Sequence, residues 1–335
     1  MVINKWLAAM LAFCLALASG ASAFAADSVK FGMLRVPNAL FVGMEKGYFA
    51  KEGITVEPTY FRSGAEVASQ LAAGHVDIGA TTAGATLYNA MVRGVPAKIV
   101  ADFIVFVQKP SPNAVVVRKD LIDSGAVKSL ADLKGRTIAI TARGQFTHLL
   151  AGRAMESVGL TDKDVKLVTM KYPDMVAAFT GGSIDAATFV DPFTTVARDR
   201  GLALPLIDAA DLLPDMNLAV LMYGERMLKT DRGLGQRFMN AFHHANTTLR
   251  AMWKTPEGRT EISNIYQKYL PRKNQEIYTR IAPAIGREDL MVKVEGQSGL
   301  REQLGWYAGH GLVPEKPKFE DIVDNSFAEK AKKSM

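Results

Sequence analysis

The sequence predicts an α/β protein built from two similar lobes that face each other across a cleft. One phrase occurs twice at an offset of 108 positions, as LAAGHVDIG at 71–79 and as FTGGSIDAA at 179–187. Strand-like and helix-like segments alternate along most of the chain, which is typical of a mostly parallel sheet flanked by helices. The strand-like runs are continuously apolar, as expected for sheets covered on both faces. A cleft between two lobes is a usual place for a small ligand.

The first 25 residues have the pattern of a secretory signal peptide. Lys5 precedes an apolar stretch at 7–17, and Ala23-Phe24-Ala25 fits a cleavage site. The alternative, a membrane anchor, would need roughly 20 apolar residues. We therefore expect export to the periplasm and removal of residues 1–25. Cys14 is the single cysteine, so the processed chain is predicted to have no disulfide, no cysteine metal site and no cysteine nucleophile.

The charge balance argues against a nucleic-acid partner. The formal net charge is +6, but the basic residues are scattered along the chain instead of forming a cluster. An exported chain also rarely meets nucleic acid. The composition indicates a soluble basic surface that mildly favours anions.

The pattern of strands and helices repeats in the two halves of the chain. The first half is predicted to contain strands at 29–34, 54–61, 75–81 and 97–107, with helices at 40–52, 64–73 and 83–93. The second half is predicted to contain strands at 136–142, 165–171, 185–190 and 202–208, with helices at 147–158, 173–180 and 192–200. Each half can therefore form one α/β lobe.

Two proline-containing segments are predicted to connect the lobes, KPSPN at 109–113 and LLPDMN at 212–217. The first lobe would then be discontinuous, with residues 26–110 and 218–335, and the second lobe would hold residues 111–217. Beyond Asp231 an apolar stripe at helical spacing, which includes Phe238 and Phe242, predicts a long helix. This helix packs against the first lobe or, as an alternative, binds a partner.

Four loops are predicted to border the cleft, at 35–40, 62–64, 81–84 and 143–148. They follow strands and precede helices, and ligands of open α/β sheets bind outside the carboxyl ends of the strands. Unpaired N–H groups and the helix dipole favour an anion at such a helix start. Hydroxyl donors to the ligand are expected from Ser63, Thr81, Thr82 and Thr147. Plain helix capping uses the same residue types and stays open as the alternative.

Charged and aromatic side chains near these loops are further candidates. Arg35, Arg62 or Arg143 could clamp an anion, and Arg143 is preferred because it precedes the Gly144 turn; an exposed surface arginine is the alternative. Asp191 either caps a helix or meets a ligand amine. Apolar walls could come from Phe146, Tyr172, Phe189 and Phe193.

The histidines do not form a metal constellation, and only His148 lies in a candidate cleft loop, where we expect a hydrogen-bond donor. The sequence contains no G-x-S-x-G elbow, no H-E-x-x-H motif and no Walker loop. No catalytic residue, metal or cofactor is therefore predicted.

Four segments carry a resemblance to a known family: GMEKGYFAKEGITVE at 43–57, SGAEVASQLAAGHVDIGATT at 63–82, SLADLKGRTIAI at 129–140 and SIDAATFVDPF at 183–193. They resemble the periplasmic substrate-binding proteins of ABC importers, in the group that takes nitrate, sulfonates, taurine and bicarbonate and also contains pyrimidine-precursor binders. The resemblance implies a type II two-lobed fold with a hinge. It also implies a small-molecule ligand and a membrane permease as partner, and we expect a monomer.

Carried over position by position, the resemblance implies ligand contacts in the loops of both lobes. The implied positions are Val36, Pro37, Asn38, Ser63, Gly64, Thr82, Ala83, Gly144, Thr147, His148, Asp191 and Asn217. The family would use them to capture a small anionic or zwitterionic solute, such as a sulfonate, taurine or nitrate. Open alternatives are a pyrimidine-precursor binder, a sensor that presents its ligand to a receptor and, third, an enzyme that makes a thiamine pyrimidine.

Overall fold

The computed structural model describes residues 26–105, 111, 113–270 and 276–333. The predicted signal peptide and most of the predicted connection at 109–113 lie outside the described residues. Ten strands occur in the described part: β1 (Asp27–Met33), β2 (Ile54–Tyr60), β3 (Ile78–Thr82), β4 (Ala97–Val105), β5 (Asn113–Arg118), β6 (Thr137–Ile140), β7 (Lys166–Thr169), β8 (Ala186–Val190), β9 (Ala203–Asp208) and β10 (Asn217–Gly224).

The α-helices of the described residues are mostly short in the first two thirds of the chain and longer afterwards. They are α1 (Ala39–Glu45), α2 (Tyr48–Lys51), α3 (Gly64–Ala72), α4 (Ala85–Val92), α5 (Lys119–Asp123), α6 (Phe146–Glu156), α7 (Tyr172–Thr180), α8 (Phe193–Asp199), α9 (Ala209–Leu212), α10 (Arg232–Trp253), α11 (Pro256–Tyr269), α12 (Ile277–Arg280), α13 (Leu300–Gly309), α14 (Phe319–Ile322) and α15 (Ser326–Lys333). A 3-10 helix at Leu130–Leu133 and a π-helix at Arg226–Thr230 complete the set.

The strands form two five-stranded sheets with the same plan. The first lobe has the strand order β2-β1-β3-β10-β4, and the second lobe has the order β7-β6-β8-β5-β9. In each sheet one strand, β10 or β5, runs antiparallel to both of its neighbours. The predicted pair of mostly parallel sheets flanked by helices is confirmed. The two antiparallel strands were not predicted, and each of them follows a predicted connection between the lobes.

Several element bounds differ from the prediction. The expected single helix at 40–52 is two helices, because Gly47 between them adopts a left-handed backbone with φ of 72°. β10 begins at Asn217, the last residue of the predicted second lobe, and it belongs to the first sheet. The lobe boundaries themselves stay a prediction.

The aspartates of the repeated phrase play matching structural roles in the two lobes. The Asp77 carboxylate accepts a hydrogen bond from the Lys30 N–H at 2.8 Å. The Asp185 carboxylate accepts one from the Thr137 N–H at 2.9 Å. Each aspartate therefore fixes the amino end of β3 or β8 on the neighbouring strand. The repeat marks the fold's internal symmetry at the end of each sheet that lies away from the cleft.

The long helix α10 packs on the first lobe through its apolar stripe. Leu234, Phe238, Phe242 and Leu249 are 0%, 0%, 1% and 0% exposed and belong to one cluster with the strands of the first sheet. Because this stripe is fully covered, the alternative of an unoccupied partner-binding helix is wrong for α10. Within the described ranges, no helix combines the length and the apolar character that crossing a bilayer requires.

Candidate functional site

The carboxyl ends of the two sheets meet through the loops that follow β3 and β6. The Ala85 N–H, at the start of α4, donates to the Gly144 carbonyl oxygen at 2.9 Å. Beside it, Gln145 Nε2 donates to Thr86 Oγ1 at 3.0 Å. We refer to these two hydrogen bonds, Ala85–Gly144 and Thr86–Gln145, as the interlobe contact. They place the ligand-binding edges of the lobes opposite one another, as predicted for loops at 81–84 and 143–148.

A second connection between the lobes lies at the rim. Arg280 Nη2 at the end of α12 lies 2.7 and 2.8 Å from the two carboxylate oxygens of Asp199 on α8. Helix α13 also bridges α4 and α6, because it contacts both. Its Glu302 binds Arg153 of α6 at 2.6 Å. The lobes therefore stand in a closed arrangement at this side of the cleft.

Several buried polar atoms without hydrogen-bond partners lie towards the carboxyl ends of the parallel strands. Asn113, Thr188 and Asn217 are 2%, 0% and 0% exposed. Asn113 Nδ2, Thr188 Oγ1 and both side-chain polar atoms of Asn217 lack a partner, and so does Thr194 Oγ1 in the first turn of α8. Such orphaned groups are uncommon in folded proteins, and each leaves a desolvation cost that a bound molecule can offset.

The pairing of strands explains why two of these groups are near each other. Asn113 is opposite Val190, and Thr188 is opposite Val115, in the antiparallel β5–β8 pair. Asn113 and Thr188 are therefore diagonal neighbours on one face of the sheet, roughly 7–8 Å apart. Asn217 opens β10 in the other sheet, beside the end of β3. Each sheet thus has such a group near the edge where its parallel strands end.

The loops of the first lobe add hydroxyl groups. Thr81 is buried and Thr82 is half-buried, and neither hydroxyl has a partner among the described residues. A Cβ atom on Gly64 would lie 2.1 Å from Thr81 Oγ1, so the two loops touch and only glycine fits at position 64. Ser63 is exposed, and its hydroxyl accepts a hydrogen bond from Glu66 N as the N-cap of α3.

Asp191 is a half-buried acidic residue of the second-lobe loops. Its Oδ1 accepts a hydrogen bond from the Thr195 N–H at 2.9 Å, which is the capping interaction. Burial raises the pKa of Asp191 above its usual value, while the hydrogen bond from Thr195 opposes that rise. The remaining carboxylate oxygen can accept a hydrogen bond from a ligand, or donate to one when the carboxyl is protonated.

The arginines of the cleft loops are all exposed. Arg143 is 56% exposed, and its Nη1 lies 3.5 Å from Asp162. The Arg35 guanidinium lies over the Tyr60 ring at 4.3 Å, and the Arg62 side chain is also exposed. None of these three side chains is buried at the gap, so buried donors to an anion would come from amides and hydroxyls.

Two predicted contact residues, Asn38 and Thr147, already use their side chains inside the protein. Asn38 accepts a hydrogen bond from the Leu40 N–H and donates to the Val36 carbonyl. Thr147 Oγ1 bonds the Thr141 hydroxyl at 2.6 Å and accepts from the Thr141 N–H at 3.0 Å. These side chains fix the shape of the loops, and we do not include them among the proposed direct ligand contacts.

Both ring nitrogens of His148 are also hydrogen-bonded within the protein. Nδ1 accepts from the Gly144 N–H at 3.2 Å, and Nε2 lies 2.8 Å from Asp162 Oδ2. The ring is 1% exposed. The expected donation from His148 to a ligand would require one of these bonds to break.

The remaining predicted positions contribute backbone and shape. Val36 and Pro37 are half-buried, and the Pro37 carbonyl accepts a hydrogen bond from Ala284. Ala83 is fully buried, and its N–H donates to the Leu218 carbonyl at 3.0 Å. None of the three offers a polar side chain to a ligand.

An aromatic group borders the second-lobe loops. Tyr172 stacks on Phe193 with ring centroids 4.9 Å apart, and Phe189 contacts Tyr172 edge-on at 6.2 Å. Phe189 is fully buried, whereas Tyr172 and Phe193 are half-buried. Phe146 belongs to the core between α6 and its sheet. Tyr172 and Phe193 are therefore the aromatic residues that can provide an apolar wall.

The geometry defines a class of protein: two like-built α/β lobes that meet at the carboxyl ends of their parallel strands, with buried, unpartnered polar groups in both lobes. The family model described as NMT1/THI5 like matches residues 38–257. The chain therefore belongs to the NMT1/THI5-like family. No group of three or more histidine, cysteine, aspartate or glutamate residues in the described part could hold a metal ion.

Similar proteins include a curated relative and two solved structures. The Escherichia coli K12 protein named "Putative aliphatic sulfonates-binding protein" is 30% identical over 190 residues, which are 52% of this chain and 56% of that protein. The periplasmic aliphatic sulphonate binding protein SsuA of Escherichia coli has a TM-score of 0.72 at 19% identity, covering 89% of this chain and 92% of SsuA. The desulfurization enzyme DszB has a TM-score of 0.62 at 16% identity, covering 92% and 99%.

These similarities support the two-lobed fold. They do not assign the activity, ligand or partners of the similar proteins to this chain. The chain spans 56%, 65% and 46% of the length of the first three curated relatives that it matches. The structural likenesses, below 25% identity, concern the fold alone, which occurs in a binding protein and in an enzyme.

Sequence reasoning did not single out Asn113, Thr188 and Thr194. No local signal could have found them. An asparagine after a proline, or a threonine inside an apolar strand, is an ordinary residue until the pairing of β5 with β8 fixes its depth. Asn217 was found only through the family resemblance.

Proposed function

We propose that this chain is the extracytoplasmic solute-binding protein of an ABC importer. It captures a small anionic or zwitterionic organic solute between its lobes and delivers it to a membrane permease. The observation that carries the proposal is the set of buried, unpartnered polar groups at the facing ends of the sheets: Asn113, Thr188, Thr194 and Asn217. Membership of the NMT1/THI5-like family and the sulfonate-binding name of a relative support it.

The chemistry of these groups selects the ligand class. Amide Nδ2 and hydroxyl groups donate hydrogen bonds to oxygen atoms, as the oxygens of a sulfonate or carboxylate require. Asp191 is the acidic group beside them, and it suits a ligand nitrogen that donates hydrogen bonds. A short aminosulfonate such as taurine satisfies both requirements. Closure follows because the ligand contacts both lobes and therefore binds the closed state more tightly.

We also propose a binding role without catalysis, and a periplasmic location for the processed monomer. The gap offers no pairing of a nucleophile with a base among the described residues: His148 is engaged with Gly144 and Asp162. A secretory signal-like segment precedes residue 26. A pyrimidine precursor remains a second ligand class that the binding test includes.

Binding can be tested by thermal denaturation of the purified protein with taurine, ethanesulfonate, nitrate and an aminopyrimidine, each at 1 mM. A ligand at about 100 times its Kd adds about 2.7 kcal/mol to the free energy of unfolding. This corresponds to a rise in Tm of roughly 4 °C for a protein of this size. The absence of any shift with all four classes would contradict the proposal.

Thr188→Val tests the site itself. The substitution removes an unpartnered buried hydroxyl without changing the shape, so the ligand-free protein should be as stable as the wild type or more stable, by about 1 kcal/mol. Binding should weaken roughly tenfold, because the ligand loses a hydrogen bond. The matched control is Thr247→Val on α10, whose hydroxyl is also buried and unpartnered. It should gain the same stability and leave the Kd unchanged in isothermal titration calorimetry. Equal Kd values for both variants would argue against this placement of the site.

A further inference from the structure

One continuous chain of hydrogen bonds links the interlobe contact to a buried histidine in the second lobe. The Gly144 carbonyl accepts from the Ala85 N–H of the first lobe at 2.9 Å. The Gly144 N–H donates to His148 Nδ1 at 3.2 Å, and His148 Nε2 lies 2.8 Å from Asp162 Oδ2. Gly144, which contacts the first lobe through its carbonyl, is therefore held through its N–H by the imidazole of His148.

These bonds fix one form of the histidine ring. Nδ1 accepts from an N–H and so carries no hydrogen, and Nε2 must carry the hydrogen that it donates to the Asp162 carboxylate. Protonation at Nδ1 would set a hydrogen against the Gly144 N–H and remove the acceptor. The charged and titratable groups around the ring are Asp162, Arg143, whose Nη1 lies 3.5 Å from the same carboxylate, and His310, whose ring centroid lies 6.1 Å away.

At the interlobe contact the two backbones lie so close together that a side chain at Gly144 or Gly84 would not fit without a shift. Gly144 has a left-handed backbone with φ of 76°, and a Cβ atom there would lie 3.0 Å from the Ala85 Cβ. A Cβ atom on Gly84 would lie 3.0 Å from the Gly144 carbonyl oxygen. The lobes approach through main-chain atoms, so the position of the Gly144 peptide decides whether Ala85 finds its acceptor.

We propose that His148, oriented by Asp162, positions the Gly144 peptide for the interlobe contact and thereby sets the closed population of the protein. His148 is a positioning residue and does not touch the ligand. A proton on Nδ1 withdraws the acceptor, weakens the interlobe contact and favours the open arrangement. The proposal rests on the proposed function only where ligand affinity is the readout, since closure can be measured without a ligand.

Two substitutions separate the two ring nitrogens. In His148→Asn the amide oxygen can take the place of Nδ1 and accept from Gly144, while the bond to Asp162 is lost. In His148→Gln the amide nitrogen can take the place of Nε2 and donate to Asp162, while the acceptor for Gly144 is lost. His310→Asn is the matched control, because it removes the neighbouring exposed histidine and leaves both bonds intact. The Tm of each variant identifies any that fails to fold.

The closed population can be measured by double electron–electron resonance between spin labels at Ser69→Cys on α3 and Thr180→Cys on α7, both exposed. Cys14→Ser removes the one other thiol of the chain. Distances are recorded with and without 10 mM taurine or ethanesulfonate. Wild type, His310→Asn and His148→Asn should be mostly closed, and His148→Gln should be mostly open, with a Kd about tenfold weaker.

The outcomes distinguish this inference from the proposed function. If no solute binds but the closed population without ligand follows the expected order, the ligand class is wrong and the role of His148 stands. If solutes bind and His148→Gln closes and binds like the wild type, the role of His148 is overturned and the proposed function stands. A wild type that is never closed also overturns it.

Discussion

Asp102 is a fully buried acidic residue in β4. Its side chain is 0% exposed. It accepts hydrogen bonds from the Arg287 N–H at 3.0 and 3.1 Å. Arg287 also reaches Asp215 at 3.1 Å, just before β10, so it ties the end of β4 to the second predicted connection. Burial raises the pKa of Asp102 to about 7, and the Arg287 guanidinium only partly opposes that rise.

The raised pKa predicts a stability that falls as pH increases. The folded state holds a proton on Asp102 that the unfolded state releases near pH 4, so the contribution is complete below that pH and is lost as pH rises towards 7. Asp102→Asn should remove this slope and, at pH 8, raise the free energy of unfolding by roughly 1–4 kcal/mol. Urea denaturation at pH 5 and pH 8 measures it.

The control for this prediction is Asp321→Asn, because Asp321 is exposed. This variant should keep the wild-type difference between pH 5 and pH 8. If Asp102→Asn also keeps that difference, the buried carboxyl is not the source of the pH dependence.

At the scale of residues, the sequence could predict which loops precede helices, but it could not predict which partners their side chains have. Ser63, Asn38 and Thr147 stand at helix starts, where a capping residue and a ligand contact look alike. The structure gives all three capping or loop-fixing partners. Asn113 and Thr188 lie on one face of the sheet because β5 pairs with β8, which is distant in sequence. No local sequence pattern encodes that pairing.

Among elements, helices α6 and α13 cross at close range. A Cβ atom on Gly152 of α6 would lie 2.2 Å from Trp306 Cζ2 of α13. Trp306 also donates to Glu156 of α6 at 2.7 Å. Because α13 contacts both α4 and α6, it fastens the C-terminal part of the chain to both lobes.

Gly152→Ala should separate these two helices and destabilise the protein by about 1–3 kcal/mol, as overpacking does in a close-packed interior. Gly305→Ala is the matched control on α13, where a Cβ atom would meet nothing within 4 Å. It should stabilise the protein by about 0.5–1 kcal/mol through helix propensity. Differential scanning calorimetry should therefore give changes in Tm of opposite sign, and equal Tm values for the two variants would contradict the tight crossing.

Elements with a clear period were predictable, and the direction of strands was not. The repeating strands and helices of both halves were recovered from apolar runs and turn residues. β5 and β10 were missed because an apolar run after a connection carries no sign of its partner or direction. Their antiparallel insertion next to β8 and β3 is a long-range result of closing each sheet.

For the whole molecule, the contacts between the two lobes determine how the lobes are arranged. The family and the two-lobed plan could be predicted from motifs and the internal repeat. The closed arrangement could not, since it depends on contacts such as Arg280–Asp199 between segments 81 residues apart. That ion pair is exposed at the rim, with side chains 47% and 40% exposed, so water and salt screen it.

Arg280→Ala should therefore weaken ligand binding by no more than about threefold at low salt, and the difference should vanish in 1 M NaCl. Isothermal titration calorimetry at both salt concentrations measures it. Arg200→Ala, at the end of the same helix as Asp199 and exposed, should leave the Kd unchanged. A loss of tenfold or more that persists at high salt would mean that this ion pair is a main determinant of closure.

The interlobe contact between Ala85 and Gly144 joins one peptide group to another. Exchanging other side chains along the gap, with Thr86, Gln145 and His148 kept, therefore leaves this hydrogen bond chemically unchanged. Recognition of cargo and the movement that accompanies it are separable properties of this scaffold. It is accordingly a promising starting point for engineered sensors, in which a redesigned pocket would report a new analyte through the unaltered motion of the halves.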